Sequence, residues 1–229
     1  MKWVDVAGPP GAGKSSLCYP IWRDKSVTWD GSRPPASWKL FLEEMTHLME
    51  LVQDHPSITA VLRMNDRSAK KMATVYRMRD DSTFIQTGWV QRVLGFGWRL
   101  QDMGRDINLI RPALWRMPVS VGVVVLEADL ETILARNRAR EKVQATAHEN
   151  RSYQVPRMLP SIELAKRVLI ERGVPVKVIN VEKPIEVSRH ELVEFSRGPV
   201  CEAGQMASQS EADLISLPGW WQDGQRAIA

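Results

Sequence analysis

The first chemistry the chain offers is a run of eight residues, Gly8-Pro9-Pro10-Gly11-Ala12-Gly13-Lys14-Ser15, a full G-x-x-x-x-G-K-S. Glycines at 8, 11 and 13 let backbone N–H groups close around phosphate oxygens in conformations other residues avoid. Such a loop needs an apolar strand before it and a helix after it, because the helix N-terminus completes the anion cradle. Lys2–Ala7 reads as that strand and Lys14 to about Trp22 as that helix. Gly8, Gly11, Ala12, Gly13, Lys14, Ser15 and Ser16 are therefore expected to bind ATP. Lys14 would reach the β- and γ-phosphates, and the Ser15 hydroxyl would ligate Mg2+. Farther along, Arg136 and Arg140 stand four residues apart, share one helix face and can converge on a single anion. Cations favoured by a helix dipole are the other reading of that pair. His47, His55, His148 and His190 show no ligand spacing, so no further metal is expected.

These residues must be carried by an alternation of strands and helices. Ser26–Trp29 reads as a second short strand ending at Asp30-Gly31. Ser37 caps a helix running through Phe41, Met45, Leu48 and Val52, and Ile58–Met78 continues helical. Thr83–Gln86 is a short strand, and Val90–Leu100 a helix, with Gly95 and Gly97 as weak helix formers inside it. Val119–Leu126 has the β-branched run of a central parallel strand. Leu130–Arg140 is helical, 141–160 polar and irregular, and Ser161–Arg172 helical up to Gly173. Val174–Val181 is a last strand and Pro184–Ser196 a last helix. The alternation implies an α/β fold on a parallel sheet.

The 229 residues, 44% hydrophobic and 25% charged, suit one good-sized globular domain with a tail. The longest apolar run, Val119–Leu126, is far below the roughly 18 residues of a membrane span. Met1 to Val6 leads straight into a strand, leaving no room for a signal peptide. Cys18 and Cys201 are too few for a disulfide framework or a cysteine zinc site, so a cytoplasmic protein with no membrane partner is expected. Net charge is +4, with residues 200–229 at −3 and the body correspondingly basic, as an anionic ligand would favour. Residues 198–213 read as a linker and Leu214–Trp221 as a docking element.

Over roughly residues 1–197 the sequence resembles the small P-loop kinases of nucleosides, nucleotides and related metabolites. The resemblance rests first on the phosphate loop. It rests second on Glu127 through Arg140, which looks like the entry to the arginine-bearing lid of these kinases. It implies a central parallel sheet of about five strands flanked by helices, an ATP·Mg2+ site, and a lid over about 136–160. In that lid Arg136 and Arg140 clamp the phosphates; Arg138, Arg151 and Arg157 stand in reserve. Third, Asp30 ends the second strand with Trp38 eight residues on, as deoxynucleoside kinases place an acid near a tryptophan; there it would take the proton of the acceptor hydroxyl. An ordinary Asp-Gly turn is the other reading. Fourth, Thr83 through Arg92 is similar to the strand end of nucleotide kinases, but Gln86 and Thr87 replace the expected acid and no carboxylate follows until Asp102. This departure shifts the burden to Asp30, with Glu127 and Asp129 next in line. Arg92 is the candidate for an acceptor phosphate or base edge. Trp89 either stacks on the acceptor or packs in the core.

Residues 63–116 hold eleven Lys and Arg against five Asp and Glu, interleaved with Trp89, Trp98 and Trp115. Arg63, Arg67 and Lys70 or Lys71 recur at helical spacing. Cations beside aromatics suit single-stranded or flipped-base substrates, although a solvated helix face gives the same pattern. Arg67, Lys70, Trp38, Trp89 and Arg92 are thus the expected acceptor-binding set. The sequence points to a kinase moving the γ-phosphate of ATP to a hydroxyl of a nucleoside, a nucleotide or a hydroxymethylated pyrimidine such as 5-hydroxymethyluracil in DNA. The alternative is a non-catalytic or slowly hydrolysing nucleotide-binding switch or assembly factor.

Overall fold

Strand β1 (Trp3–Ala7) is buried on both sides, and its two-residue period sends Val4 and Val6 to one face of the sheet and Asp5 and Ala7 to the other. The computed structural model describes residues 3–22, 36–59, 83–85, 88–117, 122–143 and 151–197. Along them run α1 (Lys14–Trp22), α2 (Ala36–Leu51), β2 (Thr83–Ile85), α3 (Trp89–Asp102), a 3-10 turn (Ile107–Ile110) and α4 (Arg111–Trp115). β3 (Gly122–Glu127), α5 (Leu130–Val143), α6 (Arg151–Glu171), β4 (Val176–Asn180) and α7 (Ile185–Arg197) follow. The sheet is parallel in the order β2-β1-β3-β4. It has four strands among the described residues; the segment expected to supply another, 26–29, lies outside them, as do most of the expected helix 58–78 and all of 198–229.

Two apolar layers cover the sheet. Ala7, Val123 and Val125 pack with Phe41, Met45 and Leu48 of α2, Val90, Val93 and Leu94 of α3, and Ile162, Ala165 and Val168 of α6. On the other face Val4, Val6, Val124 and Leu126 pack with Leu17 and Cys18 of α1 and Leu192 of α7. β3 is buried from Gly122 through Leu126, as its β-branched run demands. The carboxyl ends of β1 and β3 open onto the same edge of the sheet, where ligands of open α/β folds bind. No helix of the described residues is long and apolar enough to cross a membrane.

Two local expectations are corrected. The helix predicted to be capped by Ser37 already begins at Ala36, so Ser37 lies inside its first turn. Residues 151–160, expected to be irregular, are the first half of α6 despite Pro156 and Pro160. The two prolines are four apart, Pro156 is exposed and Pro160 half-buried, so the hydrogen bonds they forfeit lie on the outer side of the helix. That first half is also tied down from α3. Asp102 accepts from the Tyr153 hydroxyl, from Arg157 Nε at 2.8 Å and from His55 Nε2 at 3.1 Å. The helix expected over Val90–Leu100 is α3, which runs on through Gly95 and Gly97. A Cβ on Gly97 would lie 2.2 Å from Ser161 Oγ on α6, so the glycine is what permits the two helices to cross so closely. Gly97→Ala should therefore cost about 1–3 kcal/mol by overpacking, read as a lower thermal midpoint with the β1–α1 loop untouched.

Candidate active site

The loop between β1 and α1 has the backbone its glycines were expected to allow. Gly8, Gly11 and Gly13 take φ of +152°, +86° and +85°. A Cβ on Gly8 would come within 2.8 Å of the Leu126 carbonyl, so no other residue fits between β1 and β3 there. Nothing lies within 4 Å of the corresponding point on Gly13, which leaves that side of the loop open to a ligand. Ala12 is buried, while Ser15 and Ser16 are exposed at the start of α1.

Lys14 folds its Nζ back over the loop, donating to the carbonyls of Gly8 at 2.6 Å and Pro9 at 2.9 Å. Burial, with a smaller contribution from the positive charge of Arg140, pulls its pKa down to about 7. Arg140 and Arg136 lie on the α5 face turned towards the loop, and Arg136 donates to the Val181 carbonyl at 3.3 Å. Gly11, Gly13, Ser16, Arg136, Arg140 and Lys183 line one cavity of about 360 Å³. The β1–α1 loop and the two α5 arginines, separated by more than a hundred residues in sequence, thus meet across a single space.

Two more side chains reach the loop, and neither stood out in the sequence. Gln91 on α3 accepts the Gly8 N–H at 2.9 Å through Oε1, and Asn137 on α5 donates to the Pro10 carbonyl at 2.9 Å through Nδ2. Asp5 was missed as well. Its carboxylate accepts the Val90 N–H at 2.7 Å and faces the Gly88 N–H, so it serves as the anion at the N-terminus of α3. Burial pushes its pKa up to about 7, against the lowering effect of those N–H groups and of Arg92. The sequence signal was available: a single carboxylate inside an otherwise apolar strand must find partners.

Of the expected acceptor-binding set, Asp30, Arg67 and Lys70 lie outside the described residues, and Trp38 is placed only as a residue of the first turn of α2. Trp89 belongs to the core. It is 1% exposed, donates its Nε1 to the Ala113 carbonyl at 2.7 Å and meets Phe41 edge to face, so it offers no face for an acceptor to stack on. Arg92 is buried beside Asp5, and burial lowers its pKa to about 10. Neither reserve carboxylate stands ready as a base. Glu127 is paired with Lys166 at 2.7 Å, and Asp129 accepts the N–H groups of Glu131 and Thr132 at the start of α5.

A nucleoside triphosphate fits this donor set: open loop amides, one ammonium, two guanidiniums and the Ser15 hydroxyl. A magnesium ion accompanying the triphosphate would be held in part by the Ser15 hydroxyl at the start of α1.

No family model matches the chain, and no curated protein matches it in sequence. Solved structures do. Deoxyadenosine kinase from M. mycoides with bound dCTP superposes with a TM-score of 0.52 at 11% identity, over 86% of this chain and 100% of that one. The same kinase with bound dATP gives 0.53 at 11%, over 84% and 97%. With the products dCMP and dCDP it gives 0.54 at 10% identity, over 86% and 100%. What these likenesses show is the fold: an α/β P-loop architecture, a parallel sheet flanked by helices, of the kind found in deoxyadenosine kinases.

Proposed function

We propose that the chain is an ATP-dependent phosphotransferase that moves the γ-phosphate of ATP to a hydroxyl of a nucleoside- or nucleotide-like acceptor. The observation that carries this reading is the single cavity shared by Gly11, Gly13, Arg136 and Arg140 beside Lys14. A protein that only holds a nucleotide needs the loop; two guanidiniums converging from a separate helix suit one that must also stabilise charge spreading over a transferring phosphoryl group. The likeness to deoxyadenosine kinases agrees with it.

In this reading the loop amides and Lys14 hold the β- and γ-phosphates, and Arg136 and Arg140 close over them. The Ser15 hydroxyl would hold magnesium, which when bound would supply neutralising charge to the phosphates. Asp30 orients the acceptor hydroxyl and takes its proton, and Trp38, Arg92, Arg67 and Lys70 contact the acceptor. Trp89 has no part in it. The acceptor is a nucleoside, a nucleotide, or a hydroxymethylated pyrimidine in DNA, for which the basic stretch from Arg63 to Lys71 is suited. Residues 1–197 form the kinase domain, and 198–229 its linker and docking tail.

The missing acid between Gln86 and Gln101 favours a second reading, a nucleotide-binding switch. Labelled ATP offered with nucleosides, nucleotides, and DNA with and without hydroxymethylated pyrimidines separates the two. Acceptor-dependent label transfer is expected; ATP binding with no transfer to any of them would favour the switch. Within the kinase reading, Asp30→Asn should keep ATP affinity and lower turnover about 10²-fold, the scale of a lost general base. Unchanged turnover would place the base elsewhere.

A further inference from the structure

We infer that Asn137 is a positioning residue: its side-chain amide, rather than the stability of the fold, sets the phosphate loop in register with the lid arginines. This rests on the nucleotide-binding part of the reading above. Asn137 stands between the half-buried Arg136 and the exposed Arg138 on α5 and is fully buried. Its Nδ2 donates to the Pro10 carbonyl, while its Oδ1 has no partner among the described residues. The opposite amide orientation would set two acceptors against each other, so the hydrogen bond fixes which atom is which.

An amide in this state is a poor stabiliser. One hydrogen bond returns about 1 kcal/mol, and a buried carbonyl left unpaired costs about as much or more. A shape-matched apolar residue would serve the fold equally well. What the amide does instead is mould the loop. The point a Cβ of Gly11 would occupy lies 2.8 to 3.0 Å from Oδ1, Nδ2 and Cγ of Asn137, so the amide lies directly against the Gly11 backbone where φ is +86°. Gly11 must present its N–H to phosphate, since Pro10 has none and the Ala12 N–H bonds the Pro9 carbonyl at 3.2 Å, and α5 carries Arg136 one residue before Asn137 and Arg140 three after it. The Pro10 bond thus fixes where both guanidiniums stand relative to the loop. Gln91 holds the other end of the loop at Gly8, from α3. The loop is gripped by one helix on each side, and only the α5 grip carries phosphate-binding arginines.

Asn137→Leu keeps the branched outline and removes both polar atoms. Its thermal midpoint should equal or exceed that of the parent, while Mg·ATP, titrated calorimetrically, should bind about tenfold or more weakly, since small misplacements around a site cost up to about 10²-fold. Lys14→Ala serves as the control for lost phosphate contact. Parent-like ATP affinity in Asn137→Leu would overturn the inference. So would a thermal midpoint that falls along with the affinity, because the amide would then be an ordinary structural contact. If Leu is too large for the site and the chain does not fold, Asn137→Ala takes its place: a folded variant with affinity lowered tenfold supports the inference, and one with affinity within twofold of the parent overturns it. A parent chain that binds no ATP would overturn both this inference and the kinase reading. A parent that binds ATP but phosphorylates no acceptor would overturn the kinase reading alone, and the Asn137 affinities would still decide the inference.

Discussion

Lys14→Ala is expected to lower phosphoryl transfer on the order of 10³-fold, since it removes the one ammonium aimed at the charge that builds on the β- and γ-phosphates. The fold should survive the change. Among the described residues the Lys14 Nζ bonds to the Gly8 and Pro9 carbonyls of its own loop. Removing a buried charge whose pKa is depressed to about 7 should leave the thermal midpoint unchanged or raise it. The same depression gives the residue a proton signature. At pH 8 the free protein holds Lys14 largely neutral, whereas phosphate oxygens beside it favour the ammonium form. ATP binding should therefore take up a proton at pH 8 and almost none at pH 6. Calorimetry in buffers of different ionisation enthalpy measures the uptake, and Lys14→Ala should abolish it. Normal turnover by a folded Lys14→Ala protein would sink the kinase reading.

The contrast between Lys14 and Trp89 shows where sequence reading succeeds and where it stops. The phosphate loop is legible because its chemistry is local: eight consecutive residues, an apolar strand before them and a helix after, with glycines at the positions where φ is positive. Arg136 and Arg140 were legible for a similar reason, since four-residue spacing on a helix places them on one face whatever the rest of the chain does. Trp89 carries no such information. Whether an aromatic beside a basic stretch is a platform or a core residue depends on what lies across from it, here Phe41 and the Ala113 carbonyl, far away in sequence. Asn137 and Gln91 were invisible for the same reason: each acts through one hydrogen bond to a loop more than eighty residues distant.

The first half of α6 failed differently. Two prolines and a polar run argue against a helix on local grounds, and they lose to tertiary contacts. Val155 and Met158 are buried, and Asp102 holds both Tyr153 and Arg157. The region expected to be an irregular lid is, from Arg151 onward, packed helix. Val90–Leu100 was legible as a helix despite two weak helix formers; what the sequence did not show is that Gly97 is clearance for Ser161.

Asp5 carries the other large expected effect, and it concerns stability. Its folded-state pKa of about 7 lies well above the ordinary 3.8, with burial as the main cause. Below pH 4 the group is protonated in the folded and unfolded chain alike and makes no difference. Between pH 4 and 7 the unfolded chain gives up the proton while the folded chain keeps it, so stability must fall as pH rises through that window and stay low above it. A displacement of this size corresponds to a loss on the order of 4 kcal/mol. Asp5→Asn is neutral at every pH and can still accept the Val90 N–H. It should match the parent near pH 4 and exceed it at pH 8, by about 2–4 °C in thermal midpoint for each kcal/mol. Asp5→Leu removes the acceptor as well, leaving the Val90 N–H unpaired at the start of α3, and should be less stable than Asp5→Asn at all pH values by about 1–3 kcal/mol. The two variants separate the cost of the charge from the value of the hydrogen bond. If Asp5→Asn melts with the parent's pH slope between 4 and 7, the buried carboxyl is not the source of that slope. If instead the slope vanishes in Asp5→Asn, the acid in β1 keeps its place despite what its charge costs, because the N-terminus of α3 needs a partner there: that turn sets Gln91 against the phosphate loop.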